Sequence, residues 1–305
     1  MKFSVFSDFH YNPIDFDYDP EAKLEKLRQI QRRAEREKVD FIIHAGDFCH
    51  DAPDRPELMQ LYNGFHIPSY HCLGNHDTDR APLAEVLKCY NMESNQYFFD
   101  CEGYRIVVFD PNYSRIDGKY IHFDMGNYFE TPEERDWIPP ENIAWIRSVI
   151  EDAPHPCILI GHSSFERPDG VKNRDEVLQM LREVNARKKH SVLMVINGHF
   201  HRDNIRILDG ICHFDLNSTS FDWVEIPHDF FTEEQCKKAR NLNHTLLYND
   251  PIHAVITLEG TTITIDGMES SFYMGVDRSK TKDPYLDHAA RVCVPKVQSA
   301  KFTLW

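Results

Sequence analysis

Five short apolar stretches of β character each run directly into a polar motif. Lys2–Ser7 ends at Asp8-Phe9-His10, Phe41–His44 at Gly46-Asp47, and Ser69–Leu73 at Gly74-Asn75-His76-Asp77. Ile158–Ile160 ends at Gly161-His162, and Val192–Ile196 at Gly198-His199-Phe200-His201. In open α/β sheets, ligands bind outside the carboxyl ends of the strands. A chain that repeats this strand-then-polar pattern is constrained to bring its five loops to one sheet edge. The glycine ahead of four of the motifs allows a sharp turn or a positive φ there.

Between these strands lie amphipathic helical stretches. Asp19-Pro20-Glu21 supplies an N-cap, a proline at the first helical position and an acid in the first turn. Leu24, Leu27, Ile30 and Ala34 then recur on one face. Further helices are predicted at Pro82–Cys89, Glu141–Glu151, Asp175–Arg187 and near Thr232–Leu242. Further strands are predicted at Tyr97–Asp100, Arg105–Phe109, Ile205–Leu208 and Ile211–Leu216, with a hairpin of Ala254–Leu258 and Thr262–Ile265. Alternating strands and helices followed by strand-rich sequence indicate an α/β protein with at least two sheets. Residues 1–268 are expected to form the catalytic domain, and the aperiodic residues 269–305 a tail packed on it. Residues 111–140 read as a long irregular loop near the site, of a length that is more often functional than a plain connection.

Composition narrows the partners. Lys and Arg number 34 against 49 Asp and Glu, a formal charge of -15, which repels nucleic acid at long range. Two divalent cations would reverse the potential locally, so a small anionic substrate fits. The eight cysteines are scattered without a C-x-x-C pair, which favours free thiols and a reducing compartment. No apolar run reaches membrane-spanning length, and the first strand begins at Lys2, leaving no space for a signal peptide ahead of it. These features predict a soluble, cytoplasmic protein.

The polar motifs hold carboxylate, amide and imidazole donors in numbers sufficient for two ions sharing one carboxylate. That mixture suits Mn²⁺, Fe or Zn²⁺ rather than Ca²⁺. Two such ions roughly 3.5–4 Å apart clamp a phosphoryl group, acidify a bridging water and offset charge on the attacking and leaving oxygens. Asp47 is the natural bridge. His76, beside a proposed ligand, is placed to protonate the leaving oxygen as general acid, and Asp77, next to it, to orient the imidazole or keep it protonated.

Taken in order, Asp8-x-His10, Gly46-Asp47, Gly74-Asn75-His76-Asp77, Gly161-His162 and Gly198-His199-x-His201 resemble the calcineurin-like metallophosphoesterase superfamily. The resemblance implies a four-layer αββα sandwich, two packed mixed sheets flanked by helices, with the metals at the C-terminal strand edge. It places Asp8, His10, Asp47 and His201 on one ion and Asp47, Asn75, His162 and His199 on the other. His76 then lies close to the scissile phosphate. It also implies two metal ions, commonly Mn²⁺ or Fe, and hydrolysis of phosphomonoesters, phosphodiesters or nucleotide anhydrides by a metal-bound hydroxide. Two positions depart from the family pattern. His50 stands where Asp or Asn is common, and Ser163-Ser164 follow His162 where a proline is common.

Within the long loop, Asn112 and Arg115 follow a strand and are candidates for substrate contact, the arginine through a phosphate oxygen. The leading expectation is a dinuclear phosphoesterase acting on a small phosphodiester or nucleotide. A phosphomonoesterase and a non-catalytic metal-binding scaffold of the same fold are the alternatives. The sequence does not specify the oligomeric state.

Overall fold

The computed structural model describes residues 1–17, 19–223, 231–273 and 294–305. In chain order β1 (Lys2–Phe6), β2 (Phe41–His44) and β3 (Ser69–Tyr70) are linked by helices α1 (Pro20–Glu37) and α2 (Pro56–Asn63). Helix α3 (Leu83–Cys89) leads to the hairpin β4 (Tyr97–Cys101) and β5 (Tyr104–Val108). A small hairpin, β6 (Tyr113–Ile116) and β7 (Lys119–His122), comes next. Then follow α4 (Pro140–Glu151), β8 (Cys157–Ile160), α5 (Arg174–Arg187), β9 (Val192–Asn197), β10 (Asn204–Leu208) and β11 (Ile211–Asp215). Strands β12 (Phe221–Trp223) and β13 (Thr245–Leu247) pair with each other and flank α6 (Glu233–Lys238). Strands β14 (Ala254–Glu259), β15 (Thr262–Asp266) and β16 (Ala300–Thr303) complete the chain.

Two six-stranded sheets result, in the orders β16-β15-β14-β1-β2-β3 and β10-β11-β9-β8-β5-β4. Both are mixed. β1, β2 and β3 are parallel to one another, as are β5, β8, β9 and β11, while antiparallel strands occupy the flanks. The alternation of side chains along each strand sets the layers. Phe3, Val5, Phe41 and Ile43 meet Ile106, Val108, Ile158, Ile160 and Phe214 in the core between the sheets. Phe6, Ile42 and Val255 face the other way, onto Leu24, Leu27 and Ile30 of α1 and Leu58 of α2. On the far side Val107, Leu159 and Val195 meet Ile146 of α4 and Val177 and Leu181 of α5. The expected αββα sandwich is what forms.

The capping signals act as read: the Asp19 carboxylate accepts from Ala22 N at 3.1 Å and starts α1. Differences lie where periodicity is weak. Helix α2, opened by Pro56, went unpredicted because eight residues give little pattern. Residues 111–140 are not wholly irregular, since β6 and β7 turn at Asp117-Gly118, both with positive φ. Their polar flanks concealed the hairpin. The region near Thr232–Leu242 divides into α6, begun by a capping box of Thr232 and Gln235, and a 3₁₀ turn at Leu242–His244. The tail returns as the edge strand β16 on β15. The seven cysteines among the described residues are free thiols. No helix there is long and apolar enough to cross a membrane.

Candidate metal centre

All five polar motifs emerge at the carboxyl ends of parallel strands, and the loops bind one another. Asp8 N donates to Gly46 O at 3.0 Å and His10 N to Asp47 O at 2.8 Å, joining the loops after β1 and β2. Gly198 N donates to His162 O at 3.0 Å, joining those after β8 and β9. Within these motifs the positive φ angles fall mostly on the proposed ligands: Asp8 (52°), His10 (49°), Asp47 (52°), His199 (72°) and His201 (50°). Of the four motif glycines only Gly46 has a positive φ. The others are required for space rather than for φ, which corrects part of the expectation. A Cβ on Gly74 would lie 2.2 Å from Asp47 Oδ1 and 2.3 Å from Asp47 N.

Two groups of side chains converge there. Asp8, His10 and His201 form one, Asp47, His162 and His199 the other, each with ligand atoms within 4.8 Å of one another. Asp47 Oδ2 lies 3.0 Å from His162 Nε2 and 3.7 Å from His10 Nε2, so its carboxylate reaches both groups. Asn75 Oδ1 is 2.9 Å from His199 Nδ1, beside the second group. His162 Nδ1 donates to Ala45 O and His201 Nδ1 to Phe221 O, which turns the lone pair of each Nε2 inward. The buried His162 Nε2 faces Asp47 Oδ2 at 3.0 Å without a well-aligned hydrogen bond. This donor set fits two cations.

Electrostatics agree. Burial lowers the His162 pKa, but the Asp47 and Asp8 carboxylates outweigh it and lift it to about 10. Where only burial and neighbouring imidazoles dominate, as at His10 and His199, the ring is pushed down, to about 3 for His199. The pocket therefore calls for positive charge between the two carboxylates. His76 is also raised, to about 9, because Asp79 and Asp47 outweigh its burial.

The family model for the calcineurin-like phosphoesterases matches residues 1–203, the span that holds every proposed ligand. The chain belongs to this family. A curated relative, the manganese-dependent ADP-ribose/CDP-alcohol diphosphatase of Arabidopsis thaliana, is 23% identical over 254 residues, covering 66% of this chain and 80% of that protein. Among solved structures, a dimetal phosphatase from Danio rerio superposes with a TM-score of 0.58 at 15% identity, covering 90% of this chain and 99% of its own. GAP50, the anchor in the inner membrane complex of Plasmodium, gives 0.50 at 13%, covering 90% and 86%. These two likenesses concern the fold. As a calcineurin-like phosphoesterase the protein is a metal-dependent hydrolase of phosphoester bonds.

The phosphoesterase centre opens into a cleft of about 550 Å³. His10, Asp47, His76, His199 and His201 form its floor, and its walls include Tyr128, Phe129, Phe200 and Trp223 with Arg135, Arg167 and Arg202. The rings of Tyr128 and Phe129 stand 5.6 and 5.7 Å from that of His76. Three expectations need correction. Asp77 does not touch the His76 ring; its carboxylate accepts from the backbone N–H groups of Asp47, Phe48, Cys49 and Gly74 and from Tyr90 Oη. The residue that meets His76 is Asp79, whose Oδ2 lies 2.8 Å from Nδ1. Asn112 is buried and donates to Leu73 O and Asp110, and Arg115 lies over the rings of Trp137 and Tyr120; neither lines the cleft. The loop expected to supply substrate contacts does reach the cleft, through Tyr128, Phe129 and Arg135. No spacing in the sequence distinguishes those three.

Proposed function

We propose that this phosphoesterase hydrolyses a small phosphodiester or nucleotide-linked substrate at a centre of two metal ions. Asp8, His10, Asp47 and His201 hold one ion, Asp47, Asn75, His162 and His199 the other, with Mn²⁺ or Fe favoured and Zn²⁺ compatible. When bound, the two ions acidify water and offset charge on the phosphoryl oxygens. The chain's own residues do the rest. The observation that carries the reading is the meeting of both ligand groups at Asp47, below a cleft that also presents His76.

His76 is held from two sides. Its backbone N–H donates to Asp47 Oδ1 at 2.8 Å, and its Nδ1 is tied to Asp79, so Nε2 is the nitrogen left for the cleft. With its pKa raised to about 9, the ring carries a proton at neutral pH that it can give to a departing alkoxide. The Tyr128 and Phe129 rings stand beside it, on the cleft wall. A cleft of about 550 Å³ exceeds the needs of a bare phosphate. Its three arginines and four aromatic rings suit a substrate with further anionic and planar parts. The Arabidopsis relative, named for ADP-ribose and CDP-alcohols, supports a nucleotide-linked diphosphate within that class.

The test compares kcat/KM of Mn²⁺-loaded protein on matched aryl phosphodiester and phosphomonoester substrates, then on CDP-alcohols. Diester or diphosphate preference is expected, and a monoester preference would overturn the substrate class. His76→Ala is expected to lower turnover by about 10²–10⁴ while retaining metal. Unchanged turnover would remove His76 from its role.

A further inference from the structure

We propose that Asp79 is a positioning residue shared by both halves of the centre. One of its oxygens orients His76 directly and the metal ligand His10 through His50. The inference rests on the two-metal reading above.

The geometry is a branched chain of hydrogen bonds. Asp79 Oδ2 lies 2.8 Å from His76 Nδ1 and 2.9 Å from His50 Nδ1. His50 Nε2 lies 2.9 Å from His10 Nδ1, and its ring stacks on that of His76 with centroids 4.9 Å apart and planes 21° apart. The other oxygen of Asp79 is buried without a hydrogen-bond partner, so Oδ2 alone serves both rings. His10 and His50 are buried, and the Asp79 side chain is only 10% exposed.

Proton bookkeeping gives the chain a direction. His10 would hold an ion through the lone pair of Nε2, which would leave its ring hydrogen on Nδ1. His10 Nδ1–H then donates to His50 Nε2. A neutral His50 must carry its own hydrogen on Nδ1, and that N–H donates to Asp79 Oδ2. His76 Nδ1–H donates to the same oxygen, directing its Nε2 at the cleft. Every nitrogen in the chain has one assignment once the metal binds.

The same assignment decides another question. His50, His76 and Asp79 also bring three possible ligand atoms within 4.8 Å of one another. With hydrogens on both Nδ1 atoms those nitrogens have no lone pair to offer, so the cluster is an orienting device and not a third metal site. Removing the Asp79 carboxylate releases two rings at once: the general acid directly and the ligand His10 one step further on.

Calorimetric titration of the 305-residue chain with Mn²⁺ reads the metal arm without turnover. Asp79→Ala and His50→Ala are each expected to weaken one Mn²⁺ site by about 10- to 100-fold. The double variant should weaken it no further than either change alone, and His76→Ala should leave both affinities unaltered. On an aryl phosphodiester with both sites saturated by Mn²⁺, adding Asp79→Ala to His76→Ala should cost no further turnover. Three results overturn the proposal: unchanged Mn²⁺ affinity in Asp79→Ala, additive losses in the Asp79/His50 double variant, or a third Mn²⁺ equivalent in the wild type that Asp79→Ala removes. Where Asp79→Ala yields no folded protein, imidazole ¹⁵N spectra of the Zn²⁺-loaded wild type decide. His50 protonated on Nδ1 is expected, and the Nε2–H tautomer overturns the chain. Failure of the functional reading looks different, because a wild type inactive on every phosphoester would still report its metal arm.

Discussion

The two edges of the sandwich use the same backbone device for opposite purposes. At the carboxyl edge of the parallel strands, residues with positive φ include the proposed ligands Asp8, His10, Asp47, His199 and His201. At the other edge the hairpins β4–β5, β10–β11 and β14–β15 turn at Glu102-Gly103, Asp209-Gly210 and Gly260, also with positive φ. Around those hairpin glycines an added Cβ would meet nothing within 4 Å. Around Gly74 it would meet the Asp47 carboxylate. One edge is strained and crowded, the other strained and empty. The contrast separates a backbone conformation that merely turns the chain from one that also packs donors together.

The largest effect should come from filling the crowded edge. Gly74→Ala places a methyl where Asp47 Oδ1 and the Asp47 amide now sit, so one of the loops has to move. A displacement near 1 Å can cost roughly 10²-fold in turnover, and here the displaced carboxylate is the one proposed to serve both ions. Turnover is expected to fall at least that far, with weakened Mn²⁺ binding on titration. A variant with normal metal affinity would show that the crowding is relieved elsewhere and that the two edges differ less than the contacts imply.

Next comes the carboxylate that ties the crowded edge together. Asp77 accepts from four backbone N–H groups and the Tyr90 hydroxyl, at 2.6 to 3.0 Å. Asp77→Ala leaves those buried donors unpaired, at about 1–3 kcal/mol for each one that finds no water. A loss of about 3 kcal/mol or more in urea unfolding is expected. A loss below about 1 kcal/mol would mean that the loops hold their shape without it.

The pair Asp77 and Asp79 also shows how much of the centre could be read from the sequence. The convergence of the proposed ligands was legible because each sits just beyond a buried strand, where the sheet dictates its position. The choice between the two aspartates was not. After Gly74 the chain makes successive turns, with Asp77 N near Gly74 O at 3.4 Å and Asp79 N near His76 O at 3.3 Å. They aim the nearer carboxylate back into the β2 loop and the farther one at His76. Adjacency in sequence favoured the wrong partner. The fold layers were legible for the same reason as the ligands, since Phe3 and Val5 alternate with Phe6 between two cores. Arg135 and Arg167 were not, because they stand on irregular segments where no period locates a side chain.

A pH effect of intermediate size should mark the same edge. Below the Gly46 loop, His44 Nδ1 accepts from Gly46 N, His44 Nε2 donates to His71 Nδ1 at 2.7 Å, and His71 Nε2 donates to Asn63 Oδ1 at 2.9 Å. Burial pushes His71 down to about 3. An unfolded histidine titrates near about 6.5, so between those values the unfolded chain binds a proton that the folded chain refuses. Stability should therefore drop as pH falls from about 6.5 toward 3, by up to about 1.4 kcal/mol per pH unit for this group. His71→Gln should flatten part of that decline in melting temperature. An unaltered profile would assign the acid sensitivity to other buried histidines such as His253, also pushed down to about 3.

The smallest effect tests the empty edge. Gly210 closes the β10–β11 hairpin at φ 75° beside Asp209 at φ 52°. Gly210→Ala meets no neighbour, so its whole cost is the left-handed conformation, about 1–2 kcal/mol for a residue with a Cβ. The reduced freedom of the unfolded chain returns about 0.4–1 kcal/mol. A net loss near 1 kcal/mol is expected, with kcat/KM and Mn²⁺ affinity unchanged because the turn lies at the opposite end of β11 from the ligands. A Gly210→Ala protein with impaired turnover would mean that strain at the hairpins is transmitted along β11 to Asp215 and the loop at Ser218, whose Oγ donates to Asp8 O at 2.9 Å. The two edges would then act as one mechanical unit. Unchanged turnover beside the Gly74→Ala loss leaves crowding, rather than φ, as what distinguishes the catalytic edge.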